Sequence, residues 1–325
     1  MNRTTRESTS TPADSPSVTA TLAGMALVAV GGLFCLPPPA SAQALPLGGL
    51  SSGAPASGVL KHEPVFGIGP QTLWKGGIGA GLETLVSRRA SPDGDRTEEE
   101  LELHAHLDYG LTENLTLRAA MPLMKRKTET TLLPGGPASS SATGVGDLLV
   151  RAKYRFWHRF NGSTQYHASV VGGAEFPSGE STSEPRLSPG GTDYLAGATI
   201  SRDGLRYYLW ASGIARMNGG VFSGSREDEY RYDAAVGWRP WVPSFTGVDP
   251  LLLLEFNGVT VTESGGRTEP APGTRTILAV SPAFWLTYRN FAFKGGVKLP
   301  VYQDVGGGME LDYALVAELE IHAGG

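Results

Sequence analysis

From about Leu73 onward this chain repeats one pattern: segments of about ten residues in which apolar and polar side chains alternate, separated by turn residues. Successive side chains of a strand point to opposite faces, so a period of two describes strands that are apolar on one face and wetted on the other. Glu100–Gly110 sets Leu101, Leu103, Ala105, Leu107 and Tyr109 against Glu102, His104, His106 and Asp108. Gly146–His158 sets Leu148, Val150, Ala152, Tyr154 and Phe156 against Arg151, Lys153 and Arg155. Tyr230–Trp238 opposes an apolar face to Arg231 and Asp233, and Phe291–Leu299 opposes one to Lys294 and Lys298. Leu311–Ile321 sets six apolar residues against Asp312, Glu318 and Glu320. Weaker segments are Leu73–Val86, Leu115–Leu123, Gln165–Phe176, Asp193–Ile200, Leu205–Ile214, Leu251–Thr262 and Arg275–Tyr288. The total is about twelve strands, and an even number returns both ends of the sheet to one side, as bacterial membrane barrels require.

The connections point the same way. Arg88–Glu98, Lys125–Thr143, Ser178–Gly191, Met217–Arg226 and Ser264–Gly273 are long and polar. Leu111–Asn114, Arg159–Ser163, Arg202–Gly204 and Arg289-Asn290 are short, Arg239–Pro250 breaks the alternation by being long as well, and Val301–Gly308 is intermediate. Long loops outside and short turns in the periplasm are the habit of outer-membrane barrels, whereas Greek-key sandwiches have no reason to alternate so. Tyr109, Phe156, Trp157, Tyr166, Tyr207, Trp238, Trp241, Tyr288 and Phe291 cluster near the short-turn ends, where a girdle of amphipathic rings would meet the membrane interface. The expectation is all-β: an antiparallel transmembrane β-barrel over residues 72–325, in the cell outer membrane.

The first residues fit export. Arg3 and Arg6 precede an uncharged stretch, Leu22–Leu36, then three prolines and Ala40-Ser41-Ala42. This reads as a signal peptide over residues 1–42, cleaved before Gln43. Cys35, the single cysteine, lies inside it, and Phe34 is too bulky for a lipidation site. Residues 43–71 begin with a Gly, Ser, Ala and Pro-rich run and are expected to form a flexible periplasmic lead-in. Whether they enter the barrel is left open by the sequence. With 27 basic and 32 acidic residues, the chain has no basic excess to displace counterions, so no nucleic acid is expected as a partner. The expected partners are outer-membrane lipid, a small-molecule solute and the barrel assembly machinery.

Four stretches carry a family resemblance: Gly67–Gly77 (GIGPQTLWKGG), Gly144–Phe156 (GVGDLLVRAKYRF), Ala174–Gly179 (AEFPSG) and Ser281–Pro300. With them the chain resembles the outer-membrane transporter family named for the meta-pathway of phenol degradation. The resemblance implies a barrel linked to uptake of small aromatic or hydrophobic compounds, and brings no catalytic residues. Met121-Pro122, Phe176-Pro177 and Leu299-Pro300 each end an expected strand, and proline, which cannot donate to a ladder, suits such a rim.

If the apolar faces meet lipid, the wetted faces line a lumen. Glu102, His104, His106, Asp108, Arg118, Arg151, Lys153, Arg155, Arg231, Asp233, Glu255, Lys294, Lys298, Glu318 and Glu320 then point inward and form the candidate solute path. Arg151, Lys153 and Arg155 would make a cationic ladder on one strand, facing carboxylates across the lumen. The alternative is a lumen plugged by its own charge ladders, in a structural or surface-interaction barrel. His104 and His106 share a face with Glu102 and could hold a metal, but His-x-His on a wetted strand is common without one, so no metal site is assigned. His167 and Ser169 share a face without an identifiable third residue, so no enzyme is expected, and no cofactor.

Overall fold

The computed structural model describes residues 63–188, 190–217, 226–242, 247–264, 274–306 and 308–323. The expected signal peptide, residues 43–62 of the lead-in and parts of several loops lie outside the described residues. Thirteen strands are described: β1 (Ile78–Ala90), β2 (Arg96–Thr112), β3 (Leu115–Leu133), β4 (Gly136–Gly144), β5 (Leu148–Asn161), β6 (Thr164–Phe176), β7 (Asp193–Asp203), β8 (Tyr207–Met217), β9 (Arg226–Trp238), β10 (Asp249–Ser264), β11 (Arg275–Tyr288), β12 (Phe291–Asp304) and β13 (Glu310–Ala323). Each pairs antiparallel with its neighbour, and the β1–β13 pair, from Ile78↔Ala323 to Ala90↔Glu310, closes the wall. Closure removes the two edges that an open sheet would leave unpaired. β4 pairs with the far half of β3, Lys125↔Gly144 through Leu133↔Gly136, while β5 pairs with its near half. The closed barrel therefore has twelve strands, with the β3–β4 hairpin extending from its rim.

That hairpin corrects one expectation. Lys125–Thr143 is not an irregular loop but paired strand around a turn at 134–135. Its Thr- and Ser-rich sequence suits a strand, yet both faces are polar, so no apolar stripe marked it. The same effect lengthens β1 and β2 into the expected Arg88–Glu98 loop, where Ser91–Asp95 alone turn the chain. Two of the three prolines also differ from expectation. Pro122 and Pro300 sit inside β3 and β12, each beside a register shift, with Leu123 and Val301 skipped in the pairing. A bulge frees the proline nitrogen from the ladder, so a strand can pass through the residue instead of ending there.

The two faces separate as the alternation requires. Leu107, Phe256 and Leu319 on the outer face are 54%, 49% and 54% exposed, while their neighbours Asp108, Glu255 and Glu320 are at most 1% exposed. Tyr207, Trp238, Tyr288 and Phe291 are exposed at the short-turn end, with Trp157. The interior is filled partly by the chain itself. Residues 63–74 run inside the barrel and bond to inward side chains of five strands. For residues 63–71 this replaces the expected flexible lead-in, because a charged and hydrogen-bonded segment has fixed partners on the wall. Entry is at Gly110, where Gly76 N–H donates to the Gly110 carbonyl at 2.7 Å. A Cβ at Gly110 would stand 1.9 Å from the Trp74 carbonyl oxygen, so only glycine admits the crossing.

Candidate solute path inside the barrel

One side of the lumen, built by β12, β13, β1, β2, β3 and β5, is charged. Pairing puts Lys294 opposite Glu318, and Lys294 Nζ lies 3.0 Å from Glu318 and 2.7 Å from Glu320. Asp108 sits opposite Arg118, whose guanidinium donates to both its oxygens at 2.8 and 2.6 Å. Such a fork-to-fork pair fixes geometry as well as charge. Higher up, Lys125 bridges Glu100 and Glu102 at 2.8 and 2.7 Å, and Glu102 meets the His104 ring at 2.5 Å. His106 is buried among Asp108, Glu318 and Glu320.

The other side, built by β8 to β12, is apolar and aromatic. Tyr208, Trp210, Ala235, Leu251, Leu253, Ala283, Trp285 and Ala292 form one buried cluster on inward positions. The rings of Tyr208 and Trp210 stack with centroids 5.4 Å apart and planes 11° apart. Trp285, fully buried, presents its face to Lys294 Nζ at 4.3 Å, which joins the two sides of the lumen.

Residues 63–74 cross between these sides. Lys153 donates to Glu63 Oε1 and, at 2.9 Å, to the Gly69 carbonyl. Ser169 donates to Pro70 O and Thr199 to Ile68 O, at 2.5 and 2.6 Å. Gln71 reaches Asp203 at 2.7 Å, and Leu73 N–H donates to Thr116 at 2.8 Å. At the far wall the Val65 and Phe66 amides donate to the two oxygens of Glu255, at 2.5 and 3.1 Å, and Val65 packs on the aromatic cluster. These bonds satisfy backbone groups that would otherwise be buried without partners.

The structure distributes the sequence-derived residues unevenly. His106, Asp108, Arg118, Lys294, Glu318 and Glu320 come together in one cluster, with Glu102 and His104 above it. The cationic ladder has its three positions in place but is not a free field. Lys153 is taken by the crossing segment, and Arg155 by Asn114 and the Glu113 carbonyl at 2.8–3.2 Å. Arg151, opposite Arg118, has no ion pair among the described residues. The carboxylates expected to face this ladder pair instead with cations on their own wall, because adjacent strands bring opposite charges closer than the lumen width does. Arg231 is paired with Glu229, Asp233 accepts from Asn257 and Ser212, and Lys298 lies 4.7 Å over the Phe66 ring. Glu63, Lys125, Tyr208, Trp210 and Trp285 went unnoticed in the sequence. Trp285 had a signal: its parity matches Ser281, not the exposed Leu286.

A closed antiparallel barrel with an exposed apolar outer belt, a polar and aromatic lumen and both strand ends at one rim has the architecture of an outer-membrane β-barrel. Residues 96–248 match the family model described as "Putative MetA-pathway of phenol degradation", so the resemblance read from the sequence holds over that region. Among solved structures, an outer membrane channel from Pseudomonas putida F1 is 14% identical with a TM-score of 0.59, covering 81% of this chain and 100% of that one. The beta domain of the Bordetella autotransporter Brka is 10% identical with a TM-score of 0.46, over 75% of this chain and 98% of that one. A NanC porin is 12% identical with a TM-score of 0.38, over 74% and 98% respectively. A search of the curated proteins finds no match. The protein resides in the outer membrane.

Proposed function

We propose that this barrel is a channel for small aromatic or otherwise hydrophobic solutes, and that residues 63–74 gate it. The observation that carries the reading is the inward Tyr208–Trp210 stack, continued by Leu251, Leu253 and Trp285. A lumen that carried only ions would gain nothing from this apolar surface, whereas a flat apolar solute would gain dispersion and stacking contacts on it once the crossing segment, whose Val65 packs there, withdraws. The charged side supplies the hydrogen-bonding contrast that orients such a solute. The phenol-degradation description of the matched family supports the same class of cargo, and the Pseudomonas channel shares the barrel fold. Crossing segment and wall are joined by hydrogen bonds of ordinary strength, each worth about 0.5–1.5 kcal/mol net and more where charged, so together they can hold the segment yet release it.

A second reading has one observation in its favour. The crossing segment engages Lys153, Ser169, Thr199 and Glu255 on opposite sides of the lumen, as a permanent plug in a structural barrel would. Planar-bilayer conductance and liposome uptake separate the two. Replacing Lys153 and Glu255 together by Met and Gln removes the two charged anchors. The channel reading expects higher conductance in that variant, and faster uptake of phenol-sized aromatics than of sugars of similar mass. A folded variant that neither conducts nor admits aromatics leaves the structural barrel.

A further inference from the structure

We propose that His106, Asp108 and Glu320 form a binding site for a divalent transition metal of the zinc type, which staples β2 to β13 across the closure of the barrel. One ligand atom from each residue lies within 4.8 Å of the other two, and all three residues are buried. His106 Nε2 is 3.9 Å from Asp108 Oδ2, 3.9 Å from Glu320 Oε1 and 3.6 Å from Glu318 Oε1. Zinc holds nitrogen and oxygen ligands at about 2.0–2.2 Å, so tetrahedral ligand atoms stand about 3.4 Å apart. The two His106 distances of 3.9 Å need to shorten by about half an ångström, and the carboxylates, within 4.8 Å of each other, by up to about 1.4 Å, which side-chain rotation can supply.

Two further observations separate this group from an ordinary acidic cluster. The first is His106 itself: its side chain is 5% exposed, and Nε2 is buried, points at three carboxylates and has no hydrogen-bond partner. A buried imidazole nitrogen left without a bond is costly, and a metal would relieve it. The second is Gly81 of β1, paired directly with His106. A Cβ there would lie 2.4 Å from His106 Cε1, so the ring occupies space that the strand leaves open by having no side chain.

The charges allow it. Three carboxylates, Asp108, Glu318 and Glu320, converge on His106, and the cations that pair directly with them are Arg118 and Lys294. Glu320 divides its two oxygens: Oε2 faces Lys294 at 2.7 Å, and Oε1 accepts from His322 Nε2 at 2.7 Å while facing His106. Carboxylate oxygens have two lone pairs each, so the bonds to His322 and Arg118 do not by themselves bar Glu320 Oε1 and Asp108 Oδ2 from ligating. His322 and Arg118 then hold the ligands in position from outside the metal, as outer partners commonly do. His104, bonded to Glu102 higher on the same strand, takes no part.

The test uses the full mature chain, purified in detergent, stripped with chelator and titrated with Zn²⁺ alone. One ion should bind per chain and raise the temperature at which the folded band converts to the unfolded band on a heat-modifiable gel. Co²⁺ in its place should give the intense visible absorption of a four-coordinate site. His106→Gln should weaken Zn²⁺ binding at least tenfold, and His104→Gln should leave it unchanged. If His106→Gln does not fold, Asp108→Asn and the wild-type Co²⁺ spectrum decide. Absence of stoichiometric binding, a purely octahedral Co²⁺ spectrum, or equal loss in His104→Gln and His106→Gln would overturn the proposal.

Discussion

The two sides of the lumen are made from the same kind of strand and differ in what their inward positions bury. On the charged side, Asp108, Lys294, Glu318 and Glu320 are buried as mutually paired charges. On the aromatic side, Trp210, Leu251, Leu253 and Trp285 are buried as a packed cluster. Cross-strand pairing satisfies the first and dispersion the second. The outer face is the same around both, since lipid asks only for apolar surface. The lesson is that strand periodicity locates a lumen but does not determine its character, which depends on which inward residues the register places side by side.

The strongest way to break this comparison is Trp285→Ala. Its ring is fully buried, so removing it should cost about 3–5 kcal/mol, read from urea unfolding in lipid vesicles. A cost below about 1 kcal/mol would mean that the aromatic side is loosely filled and wet. The next test concerns the shared exterior. Leu254→Arg, outside the aromatic side, and Leu319→Arg, outside the charged side, should each cost about 2–4 kcal/mol where they meet the hydrocarbon midplane. Clearly unequal costs would show that the two sides sit differently in the bilayer. The smallest effect is expected for Arg151→Gln, because Arg151 alone of its ladder has no ion pair among the described residues. Stability should hold, while the reversal potential under a salt gradient shifts towards cations, since one fixed positive charge leaves the lumen. An unchanged potential in a conducting variant would remove Arg151 from the path.

The strands that read most weakly in the sequence now have a physical explanation. Leu205–Ile214, Leu251–Thr262 and Arg275–Tyr288 became β8, β10 and β11, which carry the aromatic side. They are apolar on both faces over much of their length, so the period of two fades where the lumen is dry. β2, β5 and β13 alternate cleanly because their inward positions are charged. The β3–β4 hairpin escaped notice for the opposite reason, being polar on both faces beyond the barrel wall.

What the sequence determined by itself was the strand-by-strand choice of facing: Leu107 outward and Asp108 inward follow from parity alone, and parity is local. The number of wall strands and their antiparallel order followed from the spacing of turns. Tertiary structure alone decided which inward groups meet. His106 reaches Glu320 only because β1, carrying Gly81, lies between β2 and β13, residues more than two hundred positions apart in the chain. The fate of residues 63–71 was equally hidden. A short proline- and glycine-punctuated segment has no periodicity to read, and its place inside the barrel follows from Lys153, Ser169, Thr199 and Glu255, which the closed wall brings around it.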